Sequence, residues 1–502
     1  MLYRTLHVRV PSFTDIVAET PLIPNQSGPS GLRSQRSIVS PPKLQTDEKR
    51  ASLTFRQIAR TGRRYTNPLI SVGHWRRRAL LVGAALLAGL IAIVFAMGSE
   101  RAIGLHARLI ATSPWLSLLV APAGFAAMAW LSGSFVPATQ GSGIPQTIAA
   151  SLSPDPAVRG RLLSLKIAVA KVFLTLGGLL CGASIGREGP SVQIGASVMH
   201  ALAGRRFGRI ASSRNLIVAG SGAGIAAAFN TPVGGIMFAI EEMCRDHAFR
   251  ANGTTLTAVI FAGLMSLGIL GNYTYFGSTH ASLDWPLGIW PVLLCGTAGG
   301  LLGGTFSRLL VASARGLPGR VGEFVAARPI AFAGGCGLAT ALVGLATGGA
   351  TYATGYAESK AALEGIAPLP VYFFAAKMLV IWLAFVSRIP GGLFAPALAV
   401  GAGLGSALVG LSPGNAEPAL VILGMVAFLS GMTLAPITSF VIVMEMTANH
   451  QMLIPLMAAS VTAYGFSRSV SPRALYDALA VPALDRAQAQ VASAASAKPG
   501  AA

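Results

Sequence analysis

The sequence predicts an all-α polytopic membrane protein, built as an inverted repeat of broken and re-entrant helices. Three observations carry that prediction. The 502-residue chain is 53% hydrophobic and only 11% charged, with a mean hydropathy of +0.62 and 59 glycines, a balance foreign to soluble chains of this length. Stretches such as 79–97 and 115–135 carry no charge and are long enough to cross about 30 Å of hydrocarbon. Finally, Lys171, Gly186, Pro190 and Gly195-Ala196 recur as Lys377, Gly392, Pro396 and Gly401-Ala402, each displaced by 206 positions, and Pro232 and Glu241 recur as Pro436 and Glu445, displaced by 204.

Residues 1–78 hold fourteen Lys/Arg against four Asp/Glu, a surplus of ten. This stretch, rich in Pro, Ser and Arg, reads as a disordered basic cytoplasmic tail lying near anionic lipid. It carries no secretory signal, because the first strongly apolar run begins near residue 79. A net charge of +20 raises the question of nucleic acid, yet no aromatic-basic module accompanies the charge. The remaining cations fall mainly in short loops. That is the positive-inside pattern, placing both termini and the loops near Arg159, Arg205, Arg245 with Arg250, and Arg308 in the cytoplasm.

Between those loops, apolar segments at 79–97 and 115–133 go out and back, and 162–183 and 191–203 repeat the excursion. Further segments follow at 215–228, 231–243, 255–271 and 288–306, then at 330–348, 370–387, 393–410, 418–431, 433–447 and 452–465. The membrane domain thus spans 79–480, with repeats over about 160–250 and 366–450, and a short flexible tail over 481–502. Several segments are too short to span as straight helices, so they should meet inside the membrane around a protein-enclosed cavity. Lys171 lies on an outward segment, whereas Lys377 lies on one descending from the cation-poor loop around Glu358 and Glu364. The two halves are therefore inverted. Inverted repeats of this kind put ion sites at the repeat interface, with helix N-termini turned inward. In both halves Gly-x-x-x-Pro opens a helix whose free amides would hold an anion.

The four cysteines, Cys181, Cys244, Cys295 and Cys336, have irregular spacing that indicates neither a disulfide framework nor a metal site, and no cofactor motif is present. Three loops stand out instead. They are Gly141-Ser142-Gly143-Ile144-Pro145, Gly186-Arg187-Glu188-Gly189-Pro190 and Gly391-Gly392-Leu393-Phe394-Ala395-Pro396. In that order, with Glu241-Glu242-Met243 between the second and third and Leu475-Tyr476 near the end, they resemble the CLC family of chloride channels and chloride/proton exchangers. The resemblance covers about 79–480 and implies an all-helical homodimer with one pore per subunit, in a bacterial inner membrane.

Each residue has a plain reading beside the one the resemblance implies. Ser142 alone reads as an N-cap; the resemblance makes its hydroxyl, with that of Tyr476 and the amides of Leu393 and Phe394, the ligands of a partly dehydrated chloride. Glu188 is a carboxylate at bilayer depth, where charge is costly and marks function. It reads either as a partner of Arg187 or, by resemblance, as an external gate that occupies the anion path when deprotonated. Glu242 reads as an interfacial acid, or by resemblance as the internal proton-transfer residue; its neighbour Glu241 reads as structural. Lys171 is either structural or a source of positive potential near the path. Gln146 and Ile148 stand where many relatives carry acids, which withdraws any proton role from those positions.

Having both Glu188 and Glu242 favours a chloride/proton exchanger over a passive channel of the same family. A reading from another class rests on Gly182-Ala183-Ser184-Ile185-Gly186, the Gly-x-Ser-x-Gly pattern of serine hydrolases, with Ser184 as nucleophile and His200 as the nearby base. No strand-to-helix context supports it.

Overall fold

The computed structural model describes residues 72–205, 212–245, 253–271, 273–279, 281–283, 288–412 and 417–496. The basic stretch up to residue 71, Arg250, and residues 497–502 lie outside the described residues. Among the described residues the chain is helical, with two isolated backbone bridges and no extended strand.

The first half runs α1 (Val72–Thr112), α2 (Ser117–Phe135), α3 (Ile144–Leu152), α4 (Pro156–Leu162), α5 (Leu165–Leu180), α6 (Glu188–Arg205), α7 (Ser213–Phe229), α8 (Pro232–Glu241) and α9 (Gly253–Leu270). The second runs α10 (Ile289–Arg315), α11 (Gly319–Ala327), α12 (Pro329–Ala346), α13 (Tyr356–Leu363), α14 (Phe373–Val386), α15 (Phe394–Ala407), α16 (Glu417–Thr433), α17 (Pro436–Thr447) and α18 (Leu453–Val470). A last helix, α19 (Leu475–Ser496), returns against α3, α4 and α10.

Packing repeats along with the sequence. α6 lies on α7 as α15 lies on α16, α7 on α9 as α16 on α18, and α1 on α9 as α10 on α18. Two contacts, α2 with α12 and α8 with α17, join an element to its own counterpart, as a two-fold relation requires. The glycines are duplicated too. A Cβ on Gly195 would collide with the Gly220 carbonyl, and one on its counterpart Gly401 with the Gly424 carbonyl. Small residues let these helix backbones touch, which is how packing stabilises helices that lipid does not drive together.

Six helical stretches are long and apolar enough to cross a membrane, among them 75–112, 253–270 and 289–315. By contrast α8, α14, α15, α16 and α17 are apolar but short. The amides that open α8 and α17 are satisfied by carboxylates from the other helix, and the first residues of α15 are buried. Residues 419–433 of α16 are all buried.

Three sequence expectations change. The segment from residue 481 is not a flexible tail: α19 runs through it to Ser496, because alanine-rich sequence favours helix and Ala487 is buried together with Leu479 and Ala480. Arg308 sits within α10 rather than in a loop, since a solvated cation on a helix face does not end the helix. α1 also outlasts its uncharged run, carrying Glu100, Arg101 and Arg108 on exposed turns.

Candidate functional site

The three glycine-rich loops, far apart in sequence, are joined by backbone hydrogen bonds. Gly186 N–H donates to the Gly392 carbonyl at 2.7 Å and Gly392 N–H returns to the Gly186 carbonyl at 2.7 Å. Gly391 N–H donates to the Gly141 carbonyl at 3.2 Å. Only glycine permits this approach: a Cβ on Gly189 would collide with the Ser142 hydroxyl, and one on Gly392 would stand 2.9 Å from the Gly189 nitrogen. The loops therefore form one knot. Around it gather the N-termini of α3, α6 and α15.

Glu188 opens α6 and is fully buried. Its carboxylate leaves its own helix and accepts from Ala395 N–H, in the first turn of α15, at 3.4 Å. One carboxylate oxygen, Oε1, has no hydrogen-bond partner. A carboxylate aimed at a helix N-terminus sits where a free anion would sit. Arg187 is not its partner. That guanidinium turns away, donating to the Ala96 carbonyl at 2.9 Å and to Glu100 Oε1 at 3.0 Å, and lies 5.5 Å from the Tyr275 ring centre.

Ser142 and Tyr476 are both buried, and neither hydroxyl has a partner. The N-cap of α3 is Gly143, at φ +105°, so Ser142 is not used for capping. Gln146 does that work, its Oε1 accepting from Gly143 N–H at 3.0 Å. Buried hydroxyls without partners are rare enough to require an explanation, and an absent ligand is a standard one. Leu393 and Phe394 are buried at the start of α15, with the Phe394 ring 5.8 Å from Phe229. Thus Ser142, Glu188, Leu393 and Phe394 belong to one knot, and Tyr476 shares the same apolar core as the last two. Ile144, Pro145, Pro190, Ala395 and Pro396 are buried around it.

Glu242 follows α8 at its C-terminal end and is also buried. Arg245 Nη2 donates to its Oε1 at 2.9 Å and to the Thr433 carbonyl at 3.0 Å, while Oε2 has no partner. Arg245 Nε also lies 3.6 Å from Asp477, the residue after Tyr476. The Tyr476 hydroxyl is within electrostatic reach of both Glu242 and Glu188.

Lys171 is fully buried and donates to the carbonyls of Thr139 at 2.7 Å and Gly141 at 2.6 Å, fixing the loop that carries Ser142. Its repeat counterpart Lys377 donates to the carbonyls of Thr351, Tyr352 and Ala353. The repeated acids cross over. Glu241 accepts from Ile437 and Thr438 at the start of α17, and Glu445 accepts from Val233 and Gly234 at the start of α8. Each helix end thus caps the other's beginning, so α8 and α17 run antiparallel and the halves are inverted. Sequence reasoning left Glu445 without a role, although its displacement of 204 from Glu241 was the signal. Glu100 was missed altogether, because no spacing rule links residue 100 to residue 187, and Arg245 was read only as a loop cation although its three-residue spacing from Glu242 was the signal.

The hydrolase pattern finds no machinery. Ser184 Oγ is buried and has no hydrogen-bond partner, so no base is positioned to take its proton. The four cysteines are free thiols.

Comparison with known proteins adds an independent line. The sequence profile described as voltage gated chloride channel matches residues 123–468. The chain is 31% identical over 431 residues to the H(+)/Cl(-) exchange transporter ClcA of Yersinia pestis bv. Antiqua (strain Angola), covering 80% of this chain and 86% of the relative. It is 31% identical over 412 residues to the protein of the same name from Cronobacter sakazakii, covering 76% and 83%. Among solved structures, a slow cyanobacterial Cl-/H+ antiporter superposes with a TM-score of 0.68 at 22% identity, covering 82% of this chain and 98% of that one. A CLC-type fluoride/proton antiporter gives 0.69 at 22% identity, covering 80% and 97%.

Proposed function

The chain belongs to the CLC family of voltage-gated chloride channels and chloride/proton exchangers, and from that premise we propose that it exchanges chloride for protons across a membrane. It is a membrane transport protein and not an enzyme. The observation that carries the proposal is the seat of Glu188: its carboxylate accepts from the first turn of α15, inside the knot that holds the unpartnered Ser142 hydroxyl. An anion and this carboxylate compete for the same donors. Deprotonated, Glu188 occupies the path. Protonated, it loses the charge that the helix N-terminus attracts, and chloride takes its place beside Ser142, Tyr476 and the amides of Leu393 and Phe394. Neutral donors suit an ion that must also leave.

Coupling needs a second proton acceptor on the other side. Glu242 fits, being buried with one free carboxylate oxygen and electrostatically linked to Tyr476. The names of the ClcA relatives, exchange transporters at 31% identity, support the same reading. We place the protein in the bacterial plasma membrane as a homodimer, with both termini and Arg159 and Arg245 on the cytoplasmic side, as the basic segments suggest. The basic tail expected over 1–78 is shorter than that, because residues 72–78 already belong to α1.

A passive channel of the same family is the second reading: burial favours the protonated form of Glu242, while the Arg245 guanidinium 2.9 Å away opposes it and would leave the carboxylate a purely structural partner. Reconstituted liposomes decide between the two. An outward chloride gradient should drive protons inward against their own gradient; chloride flux without proton movement leaves the channel. Glu188→Gln and Glu242→Gln should each abolish proton movement while chloride still flows. Continued proton pumping by either variant removes that residue from the mechanism.

A further inference from the structure

A cavity of about 510 Å³ opens at the far side of the Ser142 loop. Its floor includes Gly141, Ser142 and Gln146, and its walls come from α4, α10, α14 and α19. Four guanidiniums line it, those of Arg161, Arg315, Arg388 and Arg486, against a single carboxylate, that of Asp485. Each arginine is exposed, and each is carried in or just beyond a different helix. Arg388 even reaches its place through a left-handed backbone, at φ +59°. A non-glycine residue in that region is strained, so the surrounding structure holds it there.

Four like charges draw any anion towards the cavity, chloride included. One exposed guanidinium adds little for a single halide in water, whereas several together can each bind a different oxygen of one ligand. Nor are they neutralised, since Asp485 is the one carboxylate among them. A guanidinium offers a planar fork of donors that fits two oxygens of one oxyanion, and several forks around one cavity fit a ligand with several such oxygens. Ser142, whose buried hydroxyl is unpartnered, is part of the same lining, so the cavity adjoins the loop of the candidate anion site.

We propose that this arginine-lined cavity is a binding site for phosphate-bearing polyanions, which on binding close the chloride path at Ser142. The inference rests on the transport reading for its consequence, though not for the binding itself. The shared chemistry is the phosphoryl oxygen, and its source is either a soluble pyrophosphate-like anion or the phosphomonoester headgroup of a lipid.

Inorganic pyrophosphate is the probe. Titrated calorimetrically into the purified full-length protein it should bind, more weakly at high salt, and the double substitution Arg161→Gln/Arg486→Gln should weaken binding by about tenfold or more for each charge-assisted hydrogen bond it removes. In chloride-loaded liposomes, pyrophosphate on both faces should reduce each protein's flux relative to its own uninhibited rate, with the double variant resistant. Block by vesicles containing phosphatidic acid, with pyrophosphate inert, assigns the site to a lipid headgroup. No binding and no block by either source overturns the proposal, as does block that the double variant leaves unchanged. Failure of chloride flux without any polyanion counts against the transport reading, and the calorimetry still stands or falls alone.

Discussion

Arg187 bears directly on Glu188, the proposed gate. Adjacent residues of opposite charge invite an ion pair, but the structure commits Arg187 to the Ala96 carbonyl and to Glu100 of α1, leaving Glu188 to the amides of α15. The Glu100 side chain is 68% exposed while that of Arg187 is 5% exposed. So the positive charge beside the gate is balanced by an acid facing solvent. Glu100→Gln removes that balance but keeps the backbone anchor, leaving Arg187 to favour the seated, charged form of Glu188. Chloride turnover should fall by about two- to fivefold, the effect of roughly 0.5–1 kcal/mol from an exposed pair. Initial flux rates of the two proteins in liposomes check this, and a variant as fast as the parent, or faster, removes Glu100 from the control of the gate.

At the scale of elements, the crossed acids make a matched pair. Glu241 caps α17 and Glu445 caps α8, each through two amides at 2.6 and 3.1 Å. A carboxylate at a helix N-terminus contributes up to about 2 kcal/mol in partly buried positions. Glu241→Gln and Glu445→Gln should therefore lower the thermal unfolding temperature by similar amounts, with proton coupling intact. A large drop for one and none for the other would contradict the two-fold relation. Much of this level was legible in the sequence: the 206-residue displacement from Glu188 leads to Phe394, and α6 and α15 start at those two residues. Apolar runs located the long helices because hydrocarbon imposes a length. Helices α4, α11, α13 and α19 escaped, being too short or too polar for a rule built on hydrocarbon length; α11 buries none of its residues. The site was legible where glycine spacing forces backbone contact, at 141–143, 186–189 and 391–392. It was illegible where a long side chain crosses between elements, as Arg245 does to reach Thr433 and Asp477.

For the whole molecule, the candidate site requires both inverted halves. The seat of Glu188 is built from α6 of one half and α15 of the other, and Ser142 and Tyr476 come from opposite ends of the chain. Every group named in this site lies between Val72 and Ser496, and the family profile matches within that span, over 123–468. Residues 1–68 carry eleven Lys/Arg and four Asp/Glu, a surplus of seven positive charges. Such a segment acts on a membrane protein through anionic lipid, whose surface potential falls away within a Debye length. Deleting residues 1–68 should leave chloride flux per protein unchanged in liposomes of neutral lipid. In liposomes rich in anionic lipid the deletion should make flux less sensitive to ionic strength than in the full chain. Loss of flux in neutral lipid, with the truncated protein still folded by its thermal transition, would mean that the basic segment takes part in transport.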